Sequence, residues 1–426
     1  MDTLVALIQA STSVAELHEE LKKAEVGVIQ NPSSRGSLAP ALAQLDPAAH
    51  SLGYAFLLSE ALKHKPVPRE LVELASDFLR RCDAPQARLA PAQVGAVSKH
   101  FCSACIEQGN ALLAVEPLGA ALEKMRGAPG EATAVHMHFY KACLKAKCYR
   151  AALGALEQPV LDVATTDGLK PYDLVVMLYY GGRLRLGMRQ YDEALAQFTL
   201  CFAASQQGLT AALVEAYRSL VLTSLIANGE LAPLPKYSGG NIQRTVRQHA
   251  IPYNEIATAY AAHDAEALAK ALSANKDVLV RHNNFGLVKQ VQQSLARRNI
   301  KRLAQTFLTL SLDDVATKTH LEGGRQRAEQ LMLQMIEDRE IFARIDQRTM
   351  MVKFEDDPEQ YDDARTVESL HSKMQATFEV NRKVQTLADD ISTSEQYISR
   401  STSLGRPGRW TDADEGAMGE EEEMGA

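Results

Sequence analysis

Apolar residues recur at helical spacing along most of the chain, and glycine and proline mark the breaks between the periodic segments. Ala, Leu and Glu dominate these segments, and clusters of β-branched residues that would favour strands are almost absent. The pattern predicts loops at 31–40 and 233–240, and helices at 1–25, 51–63, 68–81, 86–107, 110–125, 131–145, 149–157, 253–262, 264–274 and 284–296. The greater part of the chain is therefore predicted to be all-α.

A weak internal repeat lies in the middle of this helical region. A motif with Tyr, Ala and a large apolar residue occurs at 149–156 and 191–198, with a fainter copy at 264–271. In the second copy Gly182 precedes Tyr191 by nine residues, a spacing typical of the tetratricopeptide pattern. A small residue there lets the two helices of a hairpin touch, and an aromatic ring fills the next groove. The intervals are irregular, which indicates degenerate helical repeats.

The pattern changes after Asn299. Residues 299–308 are predicted to be helical, 309–311 to be a short extended link, and Ser311 with Asp314 to begin a second helix that ends near Gly323. A third helix is predicted at 325–338. Alternation at period two then predicts a β-hairpin, and three helices followed by a hairpin is the winged-helix plan. An open strand edge invites pairing with a neighbour, so we expect an interface at the apolar positions of this wing: Ile341, Ala343, Ile345, Met350 and Val352.

From Pro358 a single helix is predicted to run to about Ser399. Apolar residues along it alternate at steps of three and four, a heptad seam interrupted at Thr377 and Asn381. A helix of about 40 residues spans about 60 Å, so much of it must project and its apolar stripe needs a partner. We expect an intermolecular bundle built on Val367, Leu370, Met374, Phe378, Val384, Leu387 and Ile391.

Charge argues against binding to nucleic acid. Of the net charge of −7, seven acidic residues lie in 411–426, and the rest of the chain has 46 acidic and 46 basic residues. From Asn299 to Asp356 nine Lys and Arg stand against ten Asp and Glu, whereas duplex binders present a basic face. The winged helix is therefore predicted to pack against protein. The polar, acidic tail at 401–426 is predicted to be disordered.

The sequence contains no complete catalytic or metal-binding set. Cys102, Cys105, Cys143 and Cys148 have loose zinc spacing and lie in helical periods, so we interpret them as packing residues. His136 and His138 form a His-x-His pair without the downstream Ser-x-x-Asp of zinc isopeptidases, and we interpret them as an exposed pair on a helix. We predict no enzyme activity, no cofactor and no metal. Six cysteines, no signal-peptide pattern and no membrane-length apolar run predict a soluble protein of the cytoplasm and nucleus.

A winged helix at the end of a helical-repeat array resembles the PCI domain, which the proteasome lid, the signalosome and the translation initiation factor three complex share. A narrower similarity is to the subunit-three family of the COP-nine signalosome. It rests on collinear stretches that cover about residues 50–361: His50-Ser-Leu-Gly-Tyr54, Tyr179-Tyr-Gly-Gly182, Val214-Glu-Ala-Tyr217, Asn284-Phe-Gly-Leu-Val-Lys289, Arg298-Asn-Ile-Lys-Arg302, Leu308-Thr-Leu-Ser-Leu-Asp-Asp314 and Asp357-Pro-Glu-Gln-Tyr361.

The resemblance implies a domain plan and a structural role. Helical repeats would occupy 1–194, a PCI domain 195–361 with its winged helix at about 299–356, the assembly helix 362–400 and the acidic tail 401–426. The signalosome removes the ubiquitin-like protein NEDD from cullins, and its chemistry lies in a different, zinc-bearing subunit. Other PCI subunits would then be the partners, through the winged helix and the C-terminal helix, with cullin–RING ligases as further candidates.

Two departures from the family pattern concern the wing. The family tends to have glycine where Arg339 stands between the third helix and the wing, and often where Met350 stands in the wing turn. A glycine at a helix end usually serves a left-handed backbone conformation. Two rival interpretations remain at this stage: a PCI subunit of the proteasome lid or of the initiation factor, and a winged-helix DNA-binding regulator.

Overall fold

The computed structural model describes residues 2–404, apart from residues 12, 30, 32–34, 128–129, 159, 161, 164–168, 205–207, 237, 322 and 357–362. The chain divides into two units between residues 355 and 356. The tail predicted to be disordered at 401–426 lies outside the described residues from position 405 onward, but its first four residues are helical, which corrects the prediction there.

The first unit begins with a long series of helices. They are α1 (Asp2–Ala10), α2 (Val14–Ala24), α3 (Arg35–Ala43), α4 (Ser51–Ala61), α5 (Arg69–Arg81), α6 (Ala84–Leu89), α7 (Pro91–Glu107), α8 (Val115–Met125), α9 (Ala134–Ala146), α10 (Leu153–Glu157), α11 (Pro171–Gly187), α12 (Tyr191–Ala204), α13 (Ala211–Ala227), α14 (Gly240–Gln248), α15 (Ile251–Ala261), α16 (Ala265–Ala274), α17 (Lys276–Arg281) and α18 (Phe285–Thr306). Short 3₁₀ helices, Ala111–Ala114 and Tyr149–Ala152, lead into α8 and α10, and two-residue strands, β1 (Glu131–Ala132) and β2 (Asp162–Val163), pair in parallel.

Several predicted helix boundaries were wrong. The single helix predicted at 1–25 is two helices, and the loop predicted at 31–40 contains the start of α3. The segment 86–107 breaks at Ala90 because Pro91 begins a new helix, a position where its missing N–H costs nothing. Conversely, the helices predicted at 284–296 and 299–308 are one helix, α18, since the intervening Arg297 and Arg298 favour helix.

The predicted repeat hairpin is confirmed in α11 and α12. Gly182 lies on α11 directly against the ring of Phe198 on α12, and a methyl group placed on this glycine would stand 2.5 Å from a ring carbon. The ring of Tyr149, just before α10, also lies against a glycine of α11, Gly187, with an added methyl 2.9 Å from the ring, and this contact joins two successive repeats. Glycine therefore sets the close approach of the paired helices, as the tetratricopeptide-like spacing predicted.

Helix ends carry polar and cationic residues in place of glycine. Within two residues of a helix end the backbone is left-handed at Lys147, Arg189, His263, Asn283, His320 and Arg339. Arginine side chains also reach the last carbonyls of neighbouring helices: Arg298 Nη2 donates to the carbonyl of Ala227 at 2.7 Å, and Arg218 Nη2 to that of His249 at 3.2 Å. Where the residue is lysine or arginine, both devices place positive charge at the negative ends of helix dipoles.

One hydrophobic core runs through the helical array, from Leu4 to Leu295. Its packing continues across residues 194 and 195, where the boundary between helical repeats and the following domain is predicted. That boundary therefore stays a prediction from the resemblance and does not coincide with a break between cores.

A second, smaller core belongs to the winged helix that ends the first unit. It is built from the end of α18, β3 (Thr309–Ser311), α19 (Leu312–Lys318), α20 (Gly324–Glu337), β4 (Phe342–Asp346) and β5 (Met351–Glu355). The strands form an antiparallel sheet in the order β3-β5-β4. Ser311 Oγ accepts the backbone N–H of Asp314 at 3.1 Å and so caps α19 as predicted. The three helices and the hairpin are thereby confirmed.

The second unit, described by itself, contains α21 (Ala364–Thr393) and α22 (Glu395–Leu404). The predicted long helix is therefore present but interrupted at Ser394, whose backbone is extended with ψ at 139°. Ser394 Oγ accepts the N–H of Tyr397 at 3.3 Å, a local bond by which a serine favours a helix start over a helix interior.

Candidate assembly surfaces

The heptad seam of α21 leaves its apolar side chains in solvent. None of the side chains of α21 is buried. The seven expected interface residues are between 49% and 66% exposed: Val367, Leu370, Met374, Phe378, Val384, Leu387 and Ile391. Large apolar side chains at this spacing occupy one side of a helix. The side chains of α21 thus offer an exposed apolar stripe along one side of the helix.

Polar residues interrupt the stripe at its centre. Thr377 and Asn381 occupy the seam positions between Met374 and Val384, and both are exposed. A polar residue at a seam position costs stability but restricts the register and number of helices that can pack there. The stripe is therefore suited to one specific helix bundle more than to indiscriminate hydrophobic association.

The wing buries the apolar side chains that were expected at its interface. Ile341 is 5% exposed and Val352 is fully buried, and Ala343, Ile345 and Met350 pack partly buried against the same small core. These side chains hold the winged helix together. A contact made by the wing with a neighbour would therefore use the backbone edge of the sheet and the exposed residues around it.

The hydrogen-bond register identifies which backbone groups lie on that edge. The N–H of Phe354 donates to the carbonyl of Leu308 and the N–H of Leu312 to that of Met350, so the even-numbered residues of β5 bond to β3. Because the backbone N–H and C=O groups of successive residues point in opposite directions along a strand, those of the odd-numbered residues of β5 bond to β4. On β4 this leaves the N–H and C=O groups of Ala343 and Ile345 pointing away from the sheet.

Three exposed apolar residues of the winged helix were missed by sequence reasoning. Leu308 is 83% exposed, and Leu333 and Met351 are also exposed. Leu308 shares the alternation of Leu310 and Leu312, but it precedes β3 and lies beyond the end of the covered sheet. The sequence pattern had placed Leu308 at the end of a predicted helix, but that helix ends at Thr306.

Ion pairs neutralise part of the positive charge of the winged helix. Arg344 pairs with Glu355 at 3.0 Å, and Arg325 on α20 pairs with Asp313 at 3.7 Å. Arg297 Nη1 contacts both Asp338 and Glu340 at 2.9 Å. Cations that already face carboxylates contribute little field for phosphates, which agrees with the protein-packing interpretation of this module.

The His-x-His pair is buried, which corrects the prediction that it is exposed. His136 is 2% and His138 is 7% exposed, and burial lowers the pKa of each imidazole to about 3. Arg126 Nη2 lies 3.0 Å from His136 Nε2, and an arginine can only donate, so Nε2 accepts this bond. The neutral ring then carries its proton on Nδ1, which faces the hydroxyl of Thr133 at 2.9 Å and its carbonyl at 3.3 Å at the start of α9. Cys102, Cys105 and Cys143 are buried as well. Among the described residues no three His, Cys, Asp or Glu side chains come together in a way that could hold a metal ion.

We expect replacement of His136 by Gln to weaken the acid sensitivity of folding. The folded-state pKa of about 3 lies below the unfolded value of 6.5, so the unfolded chain binds the proton first and stability is lost as pH falls from 6.5 towards 3. Between pH 7 and pH 5 this one ring costs about 2 kcal/mol of unfolding free energy. Urea unfolding at both pH values should show a smaller loss in His136→Gln than in the parent, whereas the exposed control His249→Gln should lose as much as the parent. Equal losses in all three proteins would contradict the buried neutral state.

No helix in the described part of the chain combines the length and apolar character needed to cross a membrane.

Comparison with known proteins agrees with this architecture. The family model for the N-terminal helical repeats of COP9 signalosome complex subunit 3 matches residues 11–242, and the PCI domain model matches residues 268–356. A COP9 signalosome complex subunit 3 of Arabidopsis thaliana is 32% identical over 392 residues, which cover 91% of this chain and 89% of the plant protein. One from Drosophila melanogaster is 29% identical over 417 residues, 93% of this chain and 92% of the fly protein. The chain belongs to the COP9 signalosome subunit 3 family.

Proposed function

We propose that this protein is a non-catalytic scaffold subunit of the COP9 signalosome. The observation that carries the proposal is the uncovered apolar stripe of α21 in a chain whose first unit has complete cores of its own. An isolated protein gains nothing from exposing seven large apolar side chains, whereas a subunit buries them in its complex. The stripe thus supports an assembly role, with PCI-type subunits as the partners.

The role in the cell follows from membership of the complex. As a signalosome subunit the chain would support removal of the ubiquitin-like protein NEDD from cullins and thereby regulate cullin–RING ubiquitin ligases, in cytoplasm and nucleus. The chemistry would reside in another, zinc-bearing subunit. The buried positions of His136 and His138 support this assignment, because neither ring reaches solvent where a substrate could meet it.

Gentle affinity purification from cells tests the proposal. The tagged chain should co-purify a stoichiometric set of other subunits, and the recovered complex should release the modifier from a conjugated cullin. The purified chain alone should not. Cleavage by the pure chain that His136→Ala or His138→Ala abolishes would overturn the assignment, and so would recovery of the chain without partner subunits.

A second prediction concerns the β4 edge of the wing. Ala343→Pro removes an N–H that points away from the sheet, so the sheet retains its internal bonds while a neighbour's strand loses one contact. We expect weaker entry into the complex, seen as faster loss of partner subunits on dilution, with a nearly unchanged melting temperature.

Its matched control is the adjacent Arg344→Pro. The N–H of Arg344 faces Lys353 within the sheet, so this substitution should break the hairpin and lower the melting temperature of the free chain. If Ala343→Pro enters the complex as readily as the parent, the β4 edge makes no contact. If it melts like Arg344→Pro, the edge serves only internal packing.

A further inference from the structure

A pocket opens on the helical array between the turns of two successive repeats. Its volume is about 840 Å³. It is lined by Lys147, Cys148, Tyr149, Arg150, Ala151, Leu153, Gly187, Met188, Arg189 and Gln190. We call it the turn pocket.

The two turns that form the turn pocket have the same backbone geometry. Lys147 and Arg189 are both left-handed, with φ at 57° and 62°. The next residue in each turn bonds five residues back, Cys148 N–H to the carbonyl of Cys143 and Gln190 N–H to that of Arg185, both at 3.0 Å. This pattern ends helices and usually places glycine where the two cations stand. The repeat therefore presents a positive side chain at the same point of consecutive turns.

The charge of the turn pocket is not neutralised by the chain itself. Lys147, Arg150 and Arg189 line it, and no carboxylate does. Within the described residues none of the three has an ion pair, whereas many other cations of the chain do. Three unpaired cations around one concave surface attract a ligand with several negative charges.

The remaining lining of the turn pocket indicates what else the ligand must supply. An ionised phosphate offers only charge, whereas a peptide also carries apolar side chains. The rest of the lining is apolar and includes Tyr149, Leu153 and Met188, which can cover an apolar side chain.

We propose that the turn pocket binds an acidic peptide segment of a partner protein. Carboxylates of the segment would pair with Lys147, Arg150 and Arg189, and an apolar side chain would lie on Met188. This site is separate from α21 and from the winged helix, so it adds a contact that the assembly surfaces do not provide.

Glycine variants test the proposal without weakening the fold. Lys147→Gly and Arg189→Gly together remove two cations at left-handed positions, where glycine is the residue of least strain, so the melting temperature should stay unchanged or rise. The probe is a fluorescein-labelled peptide of alternating Glu and Leu, and its matched neutral peptide has Gln for Glu. Fluorescence anisotropy with the full chain should show binding of the acidic peptide only, and the double variant should bind it at least about tenfold more weakly.

A matched control isolates the site. Arg339→Gly removes a cation from a left-handed position on the winged helix, and it should leave the affinity for the acidic peptide unchanged. Equal binding of the acidic and neutral peptides, or unchanged affinity in the folded double variant, would overturn the proposal. Tighter binding of single-stranded DNA of equal charge would also overturn it, since the surface would then select charge and not a peptide.

Discussion

Truncation after Asp356 should abolish stable entry of the chain into its complex while leaving the first unit folded. Burial of each apolar side chain on the α21 stripe stabilises the complex by about 1.5–3 kcal/mol, and the truncation removes all of them at once. Both cores of the first unit lie before residue 356, so its helical content and melting transition should be retained. Contacts of the winged helix can persist, but they should dissociate at high salt or on dilution.

Point variants on α21 separate the stripe from the helix as a whole. Leu370→Asp with Ile391→Asp places two charges on the seam. Ser372→Asp with Thr386→Asp places the same residues on the opposite face of the same helix, with a similar cost in helix propensity. Co-purification of the remaining subunits should fail for the seam variant and succeed for its control. If the truncated chain recovers its partners equally well at high salt, the bundle hypothesis is wrong.

Local patterns were sufficient to predict much of the winged helix. Ser311 and Asp314 mark a helix start through a bond between residues three apart, and the alternation of the hairpin strands decides which side chains face the core. Both signals lie within a few residues of the structure they specify. The seam of α21 was visible for the same reason, because a helix fixes its own periodicity without help from the rest of the chain.

Features set by tertiary packing could not be predicted in this way. His136 is buried because Arg126 and Thr133 surround it, and nothing within a His-x-His pair distinguishes a buried ring from an exposed one. Arg339 and Met350 are left-handed, with φ at 55° and 53°, although neither residue type signals that conformation. The one sign of a left-handed backbone was the resemblance, because the related family tends to have glycine at both positions. The turn pocket likewise needs two turns, which are distant in sequence, to lie side by side.

The second large expected effect is the loss of stability on replacing Gly182, in the α11–α12 hairpin, by valine. A methyl group on Gly182 would stand 2.5–2.8 Å from three carbons of the Phe198 ring, distances that real contacts do not reach. That ring is fully buried, so it has no space into which to rotate. Overpacking of this kind costs about 1–3 kcal/mol, and valine adds further atoms to the same clash. We therefore expect a clear drop in melting temperature.

Gly154→Val is the matched control, because Gly154 lies on α10 with nothing within 4 Å of an added methyl. It should be neutral or slightly stabilising, since valine has a better helix propensity than glycine. A double-mutant cycle then tests the contact itself. Phe198→Ala alone should cost about 3–5 kcal/mol by leaving a cavity, but it also makes room for the valine, so the double variant should be less destabilised than the sum of the two single variants. Strict additivity would show that the ring and the glycine do not contact each other, and the close approach of α11 and α12 would need another explanation.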